Sequence, residues 1–366
     1  MDGGAAIRMT KLDLRVGEEP VALLETACHR KSGAFGKLRQ EWMAVLDHVS
    51  SAPIFLTWQW QSAWWEAFES GKELFLLTHR SEQGRLVGVC PFYRTSSGSE
   101  ARVLRLVGGF DLSDYLDLLC VAGFEAAVCA ATVQYLVSHD GEWDVLDLHC
   151  LPADSPTRRV LLALCQQHGY SVREVVEEEC PVLILPDTWG EYLRGLSGKD
   201  RHELRRKMRR AAPAVAPGIE RVSSDKELEA ALEDFFSLHR GSGPGKESFL
   251  SAQVQEFFRA FARSFFEAGW LDLCFLSADG QRVASLLCFE WGDATHVYNS
   301  GYDPQYASLS VGIVLLGRFI QDAIARRKKR VDFLRGRERY KYQLGGRAVP
   351  IYQLTVYKRA LPPELG

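Results

Sequence analysis

Hydrophobic positions along the chain fall into two matching series. "LFLLTHRSEQGRLVGVCPFYR", Leu74 to Arg94, is an apolar run, a glycine-bearing turn and a second apolar run. "LDLCFLSADGQRVASLLCFEW", Leu271 to Trp291, repeats that order. Both read as β-hairpins. Ahead of each lies an amphipathic, aromatic-rich helix, "WQSAWWEAFESG" and "VQEFFRAFARSFFEAG". Behind each come a further strand, a helix and a strand that carries Asp: Asp147 in "EWDVLDLHC" and Asp332 in "KRVDFLRG". The spacing predicts an internal repeat of one α/β unit, ordered helix, three strands, helix, strand, helix, strand. Hairpins pair antiparallel and strand–helix–strand passages force parallel pairing, so each unit is expected to be a mixed sheet with helices on both faces. "EEECPVLILP" reads as a last strand of the first unit or one shared between the two, and the boundary is placed there, giving units 1–182 and 183–366.

A helical period begins at Gly312. Ile313, Leu316, Phe319, Ile320, Ala323 and Ile324 recur at helical spacing, and the run ends in the cations "RRKKR", as the helix dipole prefers. At its start Ser310 can cap, and Gly312 has no Cβ to hold a bulky ligand away. Free N–H groups and the positive dipole end make Ser310, Val311, Gly312 and Ile313 a candidate anion site. The matching place in the first unit, "VAGFEAAVCAATVQYL", also has a glycine, Gly123, but Glu125 in its first turn repels an anion. The first unit therefore reads as scaffold and the second as the ligand-binding one. Upstream, "GKDRHELRRKMRRA" places Leu204 and Met208 on one helix face and is basic elsewhere. It is either a solvated helix or, through Arg205, Arg206, Arg209 and Arg210, a phosphate-facing surface for CoA, tRNA or a lipid head group.

Composition narrows the classes. With 366 residues the chain is long for one domain, and about 150 per domain suggests two. Hydrophobic residues at 46% and charged residues at 25% describe a globular, water-soluble protein. A formal net charge of −3 excludes a whole-protein basic footprint for nucleic acid and leaves a local patch open. None of the nine cysteines has C-x-x-C spacing, so no zinc or redox motif is indicated, and buried free thiols in the cytoplasm are expected. The opening stretch "MDGGAAIRMTKLDLRVGEEP" has no apolar segment of signal-peptide length, and no run reaches the roughly 18 apolar residues of a membrane span. "GSGPGKES" is not a P-loop, since Arg240 and Glu247 stand where glycine and Ser or Thr are required. No clustered His and Cys imply a metal.

The run "YNSGYDPQYASLSVGIVLLGRFIQDAI…VDFLRGRERYKYQLGG" resembles the BioF2-like or CelD-type acetyltransferase domain of the GNAT superfamily. The shared pattern is a strand ending in "Y…GYDP", "S-x-G-x-x-L-L" opening a helix, and a "D-F-L-x-G-x-E-x-Y-K" strand-to-helix turn; many relatives carry Pro where Val311 stands here. "FFSLH" with His239, "LRRKMRR", "TWQWQSAWWEAF" and "SDYLDLL" also look like family features. Such proteins are similar to FemABX transferases, which carry two GNAT units in tandem. The resemblance implies two tandem GNAT-like units and transfer of an acyl or acetyl group from acyl-CoA to an amine of a small molecule, sugar or envelope precursor. GNAT enzymes bind the donor pyrophosphate at the start of the helix after their fourth strand, here Ser310 to Ile313. Because FemABX relatives use aminoacyl-tRNA instead, the donor stays open at this point. A third possibility is an inactive GNAT-fold partner of a cellulose-type polysaccharide system.

Acyl transfer to an amine needs a base for the amine, a donor to the oxyanion and a proton for the leaving group. "DFLRGRERYK" concentrates such groups. Tyr340 is a candidate acid for a leaving thiolate. Lys341 is a candidate for the phosphate or carbonyl, as in similar FemABX proteins, and Glu338 for a base or for orienting Lys341. Arg335 and Arg337 are candidate donor-binding residues, and Tyr302, Asp332 and Glu338 candidate substrate contacts. His239, ending an amphipathic helix, and Glu290, ending a hairpin strand, are the candidate general bases. A covalent acyl-enzyme has no motif to support it, so direct attack by the amine is expected.

Overall fold

The computed structural model describes residues 15–16, 19–20, 23–49, 52–95, 101–243 and 245–358. Most of the stretch read for a signal sequence lies outside them. The labelled elements of the first half are β1 (Glu25–His29), α1 (Gly33–Leu46), α2 (Trp58–Phe68), β2 (Glu73–Arg80), β3 (Leu86–Thr95), β4 (Val103–Leu106), α3 (Glu125–Ser138), β5 (Val145–Pro152), α4 (Pro156–Gln167) and β6 (Ser171–Ile184). The second half runs α5 (Gly198–Ala211), α6 (Asp225–Gly241), α7 (Ala252–Glu267), β7 (Leu271–Ala278), β8 (Gln281–Trp291), β9 (Ala294–Tyr302), α8 (Val311–Ala325), β10 (Arg330–Asp332), α9 (Arg339–Gln343) and β11 (Arg347–Tyr357). From α2 and from α7 onward the order is the same, three strands, helix, strand, helix, strand, except that the first half adds a two-residue strand, Leu119–Cys120, paired with β3. Both hairpins form where the apolar runs flank their turns.

Contacts group the described residues up to Glu178 with those from Pro350, and Glu179–Val349 separately. The chain's last strand, expected in the second unit, thus belongs mainly to the first. Residues Ile351 to Tyr357 of β11 pair antiparallel with β5, and their apolar positions Ile351, Leu354 and Val356 are buried there.

In the first unit β1–β2–β3–β4 is antiparallel and β5 joins parallel to β4. The N-terminus of α3 is closed against anions by its own acid, since Glu125 accepts from the Gly123 amide at 2.8 Å. On β5, the His149 ring lies between Asp147 (3.1 Å) and Glu177 (2.6 Å) and stacks on Phe110 (4.6 Å between centroids). Burial opposes its protonation, but the two carboxylates prevail and raise its pKa to about 9. A folded pKa above the unfolded value of about 6.5 contributes stability fully present below pH 6.5 and lost as pH rises through 9. Melting between pH 6 and 10 is expected to show that decline, worth about 2–3 kcal/mol. In His149→Gln it should be absent, and an unchanged alkaline decline in that variant would refute the assignment.

In the second unit β7–β8–β9 is antiparallel, β10 joins β9 in parallel, and Val182–Ile184 of β6 pair with β10. Leu204 and Met208 pack where the sequence placed them. Leu204 and the Met208 sulfur lie over Gly317 of α8, bringing α5 close to that helix.

Candidate active site

Two features of the second unit's strands open a cleft. The parallel pairing of β9 with β10 stops at His296 and Asp332, while β9 continues to Tyr302, so the two strands part. Between Leu287 and Cys288 the register with β9 also slips, so that they face Asn299 and Val297 and Tyr298 becomes the extra residue of a bulge. The resulting cleft of about 300 Å³ is lined by Ser300, Gly301 and Tyr302 on one side, the segment from Ser310 to Ile313 on another, and Tyr340.

The helix start has the expected role but a different cap. Ser310 occupies the N-cap position in the left-handed region (φ 55°), and its side chain caps nothing in the helix. Instead its hydroxyl accepts from Arg210 of α5 at 3.1 Å, which brings a guanidinium beside the first turn. The first turn holds no acid. Its amides at Val311, Gly312 and Ile313 have no intrahelical acceptors, and a Cβ on Gly312 would meet only the Tyr302 ring, at an ordinary 3.7 Å. Nothing inside the protein requires glycine there, so the space it leaves belongs to the cleft.

The loop after β10 is held from within. Lys341 is 3% exposed, and its ammonium donates to the carbonyls of Leu334 (3.2 Å), Arg335 (2.7 Å) and Gly336 (3.3 Å) while pairing with Glu338 at 3.0 Å. Asp332, read as a substrate contact, accepts from the Leu334 amide at 2.8 Å and so shapes the same loop. Arg337 is exposed and lies 3.8 Å from Glu179, and Arg335 is half-buried on the same loop. Tyr340 lines the cleft, and burial raises its hydroxyl pKa, which keeps it a proton donor at neutral pH.

Of the two candidate bases, the structure brings one near the cleft. Glu290 pairs across from Thr295, at the far end of the hairpin from Gly301, which faces Ser285. Five residues of strand separate the two ends, about 17 Å. Burial alone would raise its pKa, but Lys328 and Arg326 hold it low, so it is neither close to the cleft nor free to accept a proton at neutral pH. His239 sits behind the cleft wall. A Cβ on Gly301 would come within 2.4 Å of the His239 backbone nitrogen and 2.5 Å of the Leu238 carbonyl carbon, so only glycine lets α6 lie this close to β9. The His239 ring packs against Phe235 and Phe249, and its Nε2 lies 3.2 Å from Asn299 Oδ1. Donation from Nε2 leaves Nδ1 as the lone-pair nitrogen, and Nδ1 is buried without a partner. Burial, helped by Lys246, lowers the pKa to about 4, so the ring is neutral at pH 7.

Asn299 and Lys246 escaped the sequence reading. Asn299 is aimed by the strand bulge, and Lys246, in "GPGKES", is placed by a short helix, Lys246–Phe249. Among the described residues no group of His, Cys, Asp and Glu could hold a metal, and no helix is long and apolar enough to cross a membrane.

Residues 198–342 match the family model of the acetyltransferase (GNAT) domain. No curated protein matches the sequence. Among solved structures the chain is similar to FemX, with 10% identity and a TM-score of 0.59 over 86% of this chain and 95% of that one. The C-terminal domain (DUF2156) of a putative lysylphosphatidylglycerol synthetase from Agrobacterium fabrum gives 11% identity and 0.52, covering 88% and 92%. L-PGS from Bacillus licheniformis gives 11% and 0.50, covering 87% and 91%. At such identities the likeness is one of fold.

Proposed function

With a GNAT acetyltransferase domain at residues 198–342 and a tandem, FemX-like architecture, the chain is a member of the GNAT superfamily, and we propose that it is an N-acyltransferase whose donor is an acyl-CoA such as acetyl-CoA. The donor's pyrophosphate lies on the amides of Val311 to Ile313, with Arg210 beside it. The observation that supports this reading is the first turn of α8: open at Gly312, free of acids and lining the cleft.

The acceptor is the amine of a small molecule, sugar or envelope precursor. Its nitrogen forms a bond to the thioester carbonyl carbon. His239, behind the cleft wall, takes the amine proton at Nδ1 through a water admitted when the acceptor binds, and the carbon–sulfur bond breaks as Tyr340 protonates the thiolate. Asn299 orients the imidazole, and Lys341 holds loop 334–338 so that Tyr340 faces the cleft.

Gly312→Asp places a carboxylate on an anion site and is expected to weaken acetyl-CoA binding by about 1–2 kcal/mol. Calorimetry with acetyl-CoA checks this, and an unchanged affinity would rule out the placement.

A second reading, an aminoacyl-tRNA donor as in FemABX transferases, is favoured by one observation. Arg205 and Arg209 of α5 are exposed and make no ion pair among the described residues, and Arg210 joins that face to the α8 start. Arg206 is tied to Glu203. Tight binding of tRNA together with no binding of CoA would transfer the proposal to that donor.

A further inference from the structure

Resting on the reading of the second unit as an N-acyltransferase, we infer that its acceptor carries an anionic group near the amine, and that Lys246 recognises that anion. The Lys246 ammonium donates to the Ser300 carbonyl at 2.8 Å, and Ser300 lines the cleft. That bond uses one of three N–H donors. Among the described residues no carboxylate pairs with Lys246. Glu338, whose charge reaches it, is already paired with Lys341 at 3.0 Å. His239 beside it is neutral. Lys246 is therefore a cation with no carboxylate of its own, on a half-buried side chain where an unpaired ion is costly. The donor's phosphates are placed elsewhere, on the amides of Val311 to Ile313. Lys246 lies seven residues beyond His239 and reaches the same strand, so an anion on Lys246 sits next to the base that deprotonates the amine. This geometry suits a compact acceptor with amine and anion close together, either an amino acid or an amino-sugar phosphate.

Matched amines separate the two sources of anion: β-alanine against β-alaninamide for a carboxylate, and glucosamine 6-phosphate against glucosamine for a phosphate. Each is measured for acetyl transfer from acetyl-CoA and, without donor, for binding by calorimetry. The expected result is that the anionic member of at least one pair binds and reacts at least tenfold better. Lys246→Gln and Lys246→Met should lose that preference, and Lys246→Arg should keep it, with melting temperatures recorded for all three. Three results would overturn the inference: no preference in either pair, a preference that survives the loss of the charge, or an equal fall in turnover for charged and neutral acceptors. The last would assign Lys246 to the oxyanion. An anion preference in binding with no acetyl transfer to any amine would leave this inference standing and overturn the acyl-CoA reading.

Discussion

His239→Gln is expected to lower kcat/KM for acyl transfer by about 10²–10⁴. The glutamine keeps a polar group opposite Asn299 but cannot accept a proton at the Nδ1 position. The pH profile tests the same assignment in the unaltered protein. Because burial lowers the His239 pKa to about 4, the acid limb of kcat/KM should fall near pH 4 rather than near the ordinary histidine value. The sign for stability follows. A depressed folded pKa gives a contribution fully present above pH 6.5 and lost as pH falls toward 4, because the unfolded chain then binds the proton the fold excludes. Full activity in the glutamine variant, or an acid limb centred near 6.5, would remove His239 from the mechanism.

Lys341→Met is expected to destabilise the second unit by about 2–4 kcal/mol, since three loop carbonyls lose their donor and Glu338 its partner. For a unit of this size that is a fall in melting temperature of roughly 5–15 °C. Activity should fall with it, because Tyr340 is carried by the same loop. A variant that melts like the parent while losing turnover would place Lys341 on the substrate instead. Differential scanning calorimetry and a turnover assay at a temperature below both transitions decide between the two.

Much of the fold is written in local pattern. The hairpins at Leu74 and Leu271, the strand aspartates Asp147 and Asp332 and the helix from Val311 follow from apolar period and turn residues. Those signals act over a few residues, and the folded chain obeys them. The buried face of α5 was legible for the same reason, as Leu204 and Met208 are one helical turn apart. The cleft was legible in part. Tyr302, Ser310, Val311, Gly312, Ile313 and Tyr340 do come together, because a strand end, a helix start and the next strand-to-helix turn are fixed neighbours in a repeating α/β unit.

What stayed hidden depends on register between distant segments. Glu290 looked like a strand-end acid, but the hairpin register puts it at the wrong end, beside Arg326 and Lys328. Lys341 reads as a reactive cation until three carbonyls close around it. Asn299 faces His239 because a bulge at Tyr298 shifts the alternation by one, which no spacing in the sequence announces. The positive φ of Ser310 was equally invisible, since serine rarely occupies that region. The destination of β11 is a matter of pairing partner, and its apolar alternation would suit the strands of either unit.

That last strand also sets a timetable for synthesis. β5 takes its outer neighbour from Ile351 to Tyr357, almost 180 residues after the first unit's own sequence has left the ribosome. At about 5–20 residues per second the wait is on the order of 10–40 s. During it the β5 edge stands open, a row of unsatisfied backbone groups beside a finished hydrophobic face. The second unit is itself complete only at Val349, two residues before Ile351, so the earlier-made unit waits for its closing strand until the later one has been made, and both reach completion together. Chaperone occupancy should accordingly persist on the N-terminal half until Tyr357 has emerged from the ribosome.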